Sequence, residues 1–148
     1  MLDNLDITIL KKLQENGRIK RNELADLVGL SLPSLSERLK KLEDNQIIEG
    51  YFAKLNRHKF NLDIMAFIVV IMDSSKNYEK LTDHVKKTPE ILECHAILGE
   101  GSHIMKAVVK DTKSLEQLLS KIQSWPGVTR TVTNFVLSTI KETTNINI

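Results

Sequence analysis

The sequence has a single cysteine, Cys94, so an intrachain disulfide cannot form. It also lacks a long apolar run, because the longest one, Ile64–Met72, falls far short of the ~20 residues that a membrane-spanning helix requires. At the N-terminus, Leu2, Asp3 and Asp6 stand where a secretory signal would have basic residues and then an apolar stretch. These absences predict a protein of the reducing cytoplasm, without a membrane segment or a leader.

An excess of charge of one sign is also missing. The net charge is only +2, which is weak support for a polyanionic partner. The whole excess lies in residues 1–60, which hold eleven basic and nine acidic side chains. Two basic clusters stand out there, and each is either a solvated surface or a set of phosphate contacts. They are Arg18, Lys20 and Arg21, and then Lys54, Arg57, His58 and Lys59.

The apolar content, 41% of 148 residues, is sufficient for one core or two small ones and argues against disorder. In the first half, apolar residues recur at helical spacing. Leu5, Ile9 and Leu13 predict a helix that starts at Asp3. Asn16-Gly17 is expected to end it, because both residue types accept the left-handed conformation of a helix C-cap.

Two more helices are predicted downstream. The second covers residues 23–28 and ends at Gly29. The third begins after Ser31, whose hydroxyl can accept from the free amides of the first turn, where Pro33 also fits. Its buried stripe is Leu35, Leu39 and Leu42. Two helices separated by a short glycine-containing turn have helix-turn-helix spacing, although such a pair alone is not specific.

The domain boundaries are predicted from composition. Residues 47–55 alternate between apolar and polar side chains and are expected to form a short strand or wing. We place a helix-turn-helix DNA-binding domain at residues 1–56, a polar, basic linker at 57–63, and a second domain at 64–142. Residues 143–148 are expected to be a frayed tail.

The second half switches to a mixed pattern. Ile64–Met72 is apolar at almost every position and predicts a strand buried on both faces. Helices are expected around Leu81 and Leu118, and further strands over residues 91–98, 104–109 and 128–140. The order βαββαβ is ferredoxin-like, a four-stranded sheet with both helices on one face. The fold class is therefore α+β, a winged helix-turn-helix followed by a ferredoxin-like sandwich.

The second face of this sheet has no cover within the chain. Met65, Phe67, Val69 and Ile71 alternate with other apolar residues on the first strand, so both of its faces are apolar. An exposed patch of that kind usually marks an interface. We expect a homodimer in which two sheets pack face to face, which also suits the reading of palindromic DNA.

These residues resemble the Lrp/AsnC family of bacterial and archaeal regulators, over nearly the whole chain. In the first half the resemblance rests on Leu2-Asp3, Asp6, Ile9-Leu10, Leu13, Gln14, Arg18, Glu23-Leu24-Ala25, Gly29-Leu30-Ser31, Ser36, Arg38, Leu39, Leu42-Glu43 and Ile48. In the second half it rests on Pro89-Glu90-Ile91, Gly99, Trp125-Pro126-Gly127-Val128, Thr131, Thr133, Val136 and Leu137. Each fragment is unspecific, and their joint order is specific.

The resemblance implies a dimer or a higher assembly, often an octamer. It also implies that an amino acid or a related metabolite binds near the contact between sensor domains. Two departures from the family pattern matter. Lys20 stands where the family has a Ser or Thr helix cap, and Ser102 stands where it often has an acidic residue near the effector. A neutral hydroxyl would hold an α-ammonium group about half as strongly as a carboxylate.

The third helix is the candidate for double-stranded DNA recognition. Small polar residues near its start can approach base edges, and basic residues can contact phosphates. The alternative is an ordinary amphipathic surface helix. The DNA-binding candidates are Ser31, Pro33, Ser34, Ser36, Glu37, Arg38, Lys40 and Lys41, together with Arg18, Lys20 and Arg21 before the second helix. Lys54, Arg57 and Lys59 have a comparable claim to phosphate contacts.

Effector candidates cluster around the glycine turn of the second domain. The glycines permit backbone conformations that other residues avoid, and their simpler role is to form a hairpin turn. Two threonine hydroxyls of the last strand could meet a ligand carboxylate or merely line the sheet. The candidates are Gly99, Gly101, Ser102, His103, Thr131 and Thr133.

No cofactor or metal site is expected. His84, His95, His103 and Cys94 lack zinc-like spacing. Three functions compete: a DNA-binding regulator that senses an amino acid, an architectural DNA protein without an effector, and an enzyme or its regulatory subunit. The sequence shows no paired carboxylates, nucleophile–base arrangement or phosphate loop, so an enzyme is not expected.

Overall fold

The computed structural model describes residues 2–148. The chain divides into two compact units. The first comprises the chain up to Lys54 together with Lys141–Ile148, and the second is Leu55–Ile140. Among the residues described, no helix is both long enough and apolar enough to cross a membrane.

Three helices build the first unit, as the periodicity predicts. They are α1 (Asn4–Glu15), α2 (Arg21–Val28) and α3 (Leu32–Asp44). Their apolar stripes meet in one buried cluster, so each helix depends on the other two to keep its stripe from water. The cluster is Ile9, Leu10, Leu24, Ala25, Leu35, Leu39 and Leu42.

The start of α3 follows its local sequence. Ser31 is the N-cap and its hydroxyl accepts from the Ser34 amide at 3.3 Å, with Pro33 in the first turn. Lys20 precedes α2 without a side-chain cap, as expected, and Gly29 ends α2 in the left-handed region at φ 69°.

The end of α1 differs from the expectation. Asn16 is extended (φ −146°, ψ 95°) rather than left-handed. Its side-chain oxygen instead accepts from the Arg18 amide at 3.0 Å. This local hydrogen bond replaces the left-handed cap as the feature that turns the chain.

Residues 47–55 form no strand, so the strand, one of the two alternatives expected for this segment, is wrong. A strand needs a partner for its backbone N–H and C=O groups, and all four strands found among residues 2–148 belong to one sheet of the second unit. The segment is held to α3 by the Tyr51 hydroxyl, which donates to Glu43 Oε1 at 3.0 Å. Partial burial and this bond raise the pKa of Tyr51 to about 12. Phe52 next to it is almost fully exposed.

The second unit has the βαββαβ order. Its elements are β1 (Ile64–Met72), α4 (Tyr78–Lys86), β2 (Ile91–Ala96), β3 (His103–Val109), α5 (Thr112–Gln123) and β4 (Val128–Phe135). The strands lie in the order β2-β3-β1-β4, and each neighbouring pair is antiparallel. The expected ferredoxin-like fold is confirmed.

Two strands are shorter than expected, and the predicted linker is partly helical. β4 ends at Phe135 rather than residue 140, because Phe135 pairs with Ala66 near the start of β1. The Val136 amide still donates to the Met65 carbonyl at 2.9 Å, one residue from the first residue of β1, Ile64. β2 ends at Ala96 rather than residue 98. Within the linker, Arg57–Phe60 forms a short 3₁₀ helix.

The two faces of the sheet differ. Ala66, Ile68 and Val70 on β1 are fully buried beneath α4 and α5. On the opposite face, Phe67 of β1 and Val132 of β4 are exposed, at 36% and 41%. β1 is therefore buried mainly on one face within the chain, and the expected apolar open face is present.

Candidate nucleic-acid interface and effector region

The outward face of α3 carries most of the candidate DNA contacts. Leu35, Leu39 and Leu42 are buried, which turns the polar positions between them outward. At the start of the helix, the Ser31 hydroxyl donates to Ser34 Oγ at 2.9 Å. Ser36 is half-buried, and the exposed candidates on this helix are Pro33, Ser34, Glu37, Lys40 and Lys41.

Glu37 and Lys41 are already paired. Their carboxylate and ammonium groups lie 2.8 Å apart at i,i+4 spacing, and both side chains are about 70% exposed. The hydrogen bond from Lys41 holds the pKa of Glu37 below its ordinary value. Because exposed ion pairs of this kind contribute little to folding stability, either group can exchange its partner for a group on DNA.

Arg38 has a different environment from its neighbours. Its Nη1 donates to Asp3 Oδ2 and to Asp6 Oδ1, both at 2.7 Å. The hydrogen bond from the Asp6 amide is the main cause that holds the pKa of Asp3 below its ordinary value, and the bond from Arg38 is the second. The two carboxylates in turn raise the pKa of Arg38. The sequence suggests a phosphate contact here, whereas the structure places the guanidinium in an intramolecular ion pair.

The basic residues just before α2 and at its first position are available to a partner. Arg18, Lys20 and Arg21 are exposed, as is Lys40 on α3. None of the ion pairs found among residues 2–148 involves these four side chains. These cations are therefore free to meet phosphates.

Downstream of α3, Lys54 and Arg57 already donate hydrogen bonds within the chain. Lys54 Nζ donates to the Glu142 carbonyl at 3.3 Å, and Arg57 Nη1 donates to the Leu62 carbonyl at 2.6 Å. Lys59 is exposed.

An open cleft of about 780 Å³ lies in the first unit, beside the paired carboxylates. Asp3, Asp6 and Glu37 contribute acidic groups to it, and Arg38 and Lys41 contribute basic ones. This mixed lining does not favour an anion. Residues from the start of α1 and from α3 both line the cleft.

The glycine turn between β2 and β3 is built around Gly101. Gly99 and Gly101 have φ values of 134° and 88°, which favour glycine. A Cβ on Gly101 would lie 2.5 Å from Val69 Cγ1 and 3.0 Å from the Val70 carbonyl oxygen. Close approach to β1, as well as backbone conformation, therefore requires glycine at this position.

Ser102 and His103 are joined to each other and to β1. The Ser102 amide and hydroxyl donate to the Val70 carbonyl at 2.9 and 3.2 Å. His103 Nδ1 lies 2.8 Å from Ser102 Oγ, and because the Ser102 hydroxyl donates its proton to Val70, the imidazole donates in that pair. His103 is buried with its ring edge-on to Tyr78, and burial lowers the pKa of His103.

Strand register brings one threonine into this region. Val70 pairs with His103 on one side and with Thr131 on the other, so the three lie in one row across the sheet. Thr133 lies two residues farther along β4, in the row of Ile68. Gln123 of α5 donates to Thr131 Oγ1 at 2.9 Å, which places this hydroxyl on the helical side of the sheet.

Two neighbours of these candidates have no local sequence signal. Tyr78 and Gln123 lie on different helices, and the packing of these helices on the sheet brings them to His103 and Thr131. Trp125 is a packing residue, buried and stacked on His84 at a ring distance of 5.1 Å.

Two family models match the chain. Residues 2–49 match a winged helix-turn-helix DNA-binding domain, and residues 65–146 match the Lrp/AsnC ligand binding domain. The leucine-responsive regulatory protein of Escherichia coli K12 is 33% identical over 148 residues, covering 98% of this chain and 90% of the relative. An uncharacterised transcriptional regulator of Bacillus subtilis is 40% identical over 119 residues, covering 80% and 83%.

Solved structures agree in fold over the full length. A transcriptional regulator from Neisseria meningitidis, in complex with L-Met, has a TM-score of 0.94 and 38% identity, covering 99% of this chain and 97% of that one. AsnC of E. coli has a TM-score of 0.91 and 28% identity, covering 98% of both chains.

Proposed function

Because this chain belongs to the Lrp/AsnC family of transcription regulators, we propose that it reads DNA with the N-terminal half of α3 and that an amino acid modulates this binding. The observation that carries the first part is the exposed polar start of α3 on a buried three-helix cluster. A rigid helix whose first turns carry small polar side chains fits the major groove. We place the protein in the cytoplasm and assign it no catalytic activity.

The contacts divide by chemistry. Ser31, Pro33, Ser34 and Ser36 supply small side chains near base edges, and the Glu37 carboxylate can accept from the amino group of cytosine. Five exposed cations, two before α2, one at its first position and two on α3, supply phosphate contacts that set affinity and register. They are Arg18, Lys20, Arg21, Lys40 and Lys41.

The open sheet face supports a homodimer. Phe67 and Val132 present exposed apolar surface, and Val69 on the same face is half-buried. A second copy of the same face would remove this surface from water and would generate the two-fold symmetry that palindromic half-sites require. Assembly of dimers into an octamer would need additional surfaces.

The effector is proposed to be an amino acid with an apolar side chain. Relatives of this chain are leucine-responsive regulators, and one similar structure holds L-Met. The proposed region is the turn with Gly99 and Gly101, and the row from His103 to Thr131. The Ser102 hydroxyl is already bonded to Val70 and His103, so an α-ammonium group would need other acceptors.

One experiment tests both parts. Binding to duplex DNA is followed by fluorescence anisotropy at several salt concentrations, with and without leucine, methionine or, as a control, glutamate. We expect salt-dependent binding whose affinity shifts with leucine or methionine and not with glutamate. DNA binding unaffected by any amino acid would favour the architectural function, and no DNA binding at all would refute the proposal.

A further inference from the structure

The ion pair of Arg38 belongs to a closed network at the start of α1. Asp3 is the N-cap of that helix and Asp6 is its third residue, and each carboxylate accepts from the other residue's amide. Asp3 Oδ1 and Asp6 Oδ2 take these amide bonds, at 2.8 and 3.1 Å. The two remaining oxygens, Asp3 Oδ2 and Asp6 Oδ1, both accept from Arg38 Nη1. All four carboxylate oxygens are therefore bonded.

We propose that Arg38 is a positioning residue for DNA recognition, which sets the orientation of α3 through the capping box of α1 and does not contact phosphate. The proposal rests on the proposed function of α3 as the reading helix. Its basis is the geometry of the network, together with the place of Arg38 next to Glu37 in the middle of that helix.

Apolar packing alone would leave the orientation of α3 loosely defined. Leu35, Leu39 and Leu42 bury one stripe of the helix, but burial is not directional and tolerates small rotations. Charge-assisted hydrogen bonds are short and directional. Bonds from one nitrogen to two carboxylates on α1 therefore fix the angle at which Ser34 and Glu37 face outward.

Electrostatics argue against a phosphate role for the same residue. One guanidinium between two carboxylates forms a group with a net charge of −1, which repels a phosphate. The network is also partly sheltered, since the side chains of Arg38 and Asp6 are only 29% and 15% exposed. Exchange of these partners for DNA would leave two carboxylates beside the phosphate backbone.

The phosphate-binding and positioning roles of Arg38 predict opposite changes in DNA affinity for Asp6→Asn. This change makes the protein more positive, so a freed Arg38 that binds phosphate would strengthen binding to every DNA. A positioning Arg38 predicts weaker binding to the operator, by at least about fivefold, the low end of the cost of one lost base contact. Asp26→Asn makes the same charge change at an exposed residue outside the network and serves as the matched control.

Arg38→Gln and Lys40→Gln form a second matched pair. Lys40→Gln should weaken binding to operator and unrelated DNA alike and reduce the slope of log affinity against log salt by about 0.9. Arg38→Gln should lower the ratio of operator to unrelated affinity and leave the slope on unrelated DNA unchanged. Arg38→Lys, which keeps a cation near the carboxylates, should recover part of the ratio.

The full chain is used throughout, with an operator selected by the wild type from random duplexes and at a temperature where melting curves show every variant folded. Loss of selectivity in a folded variant is not explained by stability alone. Tighter binding by Asp6→Asn beyond that of Asp26→Asn, or a salt slope reduced by Arg38→Gln, overturns the positioning role. Absence of DNA binding by the wild type would overturn the proposed function itself.

Discussion

The side chain of Gln14 and the backbone of Ile146 are joined by two hydrogen bonds that run in opposite directions. Gln14 Nε2 donates to the Ile146 carbonyl at 3.0 Å, and the Ile146 amide donates to Gln14 Oε1 at 2.7 Å. The two residues are 132 positions apart in the chain. The last residues, expected to fray, are therefore held on α1 of the first unit.

Gln14→Leu should release this segment. Leucine keeps much of the side-chain volume and removes both bonds, each worth about 0.5–1.5 kcal/mol in typical settings. Amide hydrogen exchange at Ile146 should accelerate. Gln117→Leu, at an exposed site on α5, is the control and should leave that amide unchanged. Unaltered protection of Ile146 in Gln14→Leu would contradict the observed pairing.

Gly101→Ala should destabilise the second unit. The new Cβ would meet Val69 and Val70 of β1, and the backbone would be held at φ 88°, a conformation costing of order 1–3 kcal/mol for other residues. Gly17→Ala is the matched control, because its nearest neighbour would be 3.9 Å away, and we expect a change within ~0.5 kcal/mol. Thermal melting followed by far-ultraviolet circular dichroism, which reports on both units, measures both variants, and equal melting temperatures would refute the close approach.

Stability should fall with acidification because of His103. Burial lowers its folded pKa below the ordinary 6.5, so the unfolded chain takes up a proton at higher pH than the folded chain does. The contribution of this group is complete above pH 6.5 and is lost as the pH falls towards the folded pKa. His103→Asn keeps a donor for Ser102 and cannot titrate. Its melting temperature should therefore decline less than that of the wild type between pH 7.5 and 5.

A parallel decline in both proteins would show that other groups account for the acid sensitivity. His58, His84 and His95 are retained in the variant, so their effects cancel in the comparison.

Val132→Lys should convert the proposed dimer to a monomer. Val132 lies opposite Val69 on the open face, and a lysine there would leave a charge within an apolar interface. Light scattering coupled to size exclusion measures the mass. Leu27→Lys introduces the same charge at an exposed apolar residue of α2 and should leave the mass unchanged. An unchanged mass for Val132→Lys would exclude this face as the dimer contact.

Glu37→Gln should change the base preference at one position of the operator. A carboxylate accepts from cytosine, whereas glutamine can pair with adenine in a bidentate manner, with about 1–3 kcal/mol of discrimination. Binding to operators with single base substitutions measures the change. Glu23→Gln on α2 alters the charge equally and should shift affinity without altering preference. The same preference in both variants would remove Glu37 from the reading face.

Features that depend on neighbouring residues could be predicted from the sequence. The start of α3 follows from Ser31 and Pro33, whose effects act within one helical turn. β1 was predicted with its observed bounds because its apolar run is continuous. The βαββαβ order then follows from the order in which strand-like and helix-like spacings of apolar residues occur along the chain.

Features that depend on distant partners could not be predicted in this way. The acidic partners of Arg38 lie 32 and 35 positions away in the chain. Its positive charge and its place on α3 alone therefore suggest a phosphate contact. The end of β4 is determined by where β1 begins, and the row from His103 to Thr131 by the register of three strands. Neither relationship affects the spacing of apolar residues within the segment concerned, so that spacing does not predict it.

Because Lys141–Ile148 belongs to the first unit, the chain passes between the units twice. In terms of connectivity, the βαββαβ domain is an insertion into a discontinuous DNA-binding module. A fragment that stops after α3 would lack Ile146, the hydrogen-bond partner of Gln14. A truncation after Ile140 would alter the DNA-binding unit as well as the second unit. Dissection of the two activities therefore calls for a chain in which residues 141–148 are joined back to the N-terminal helices by a flexible linker.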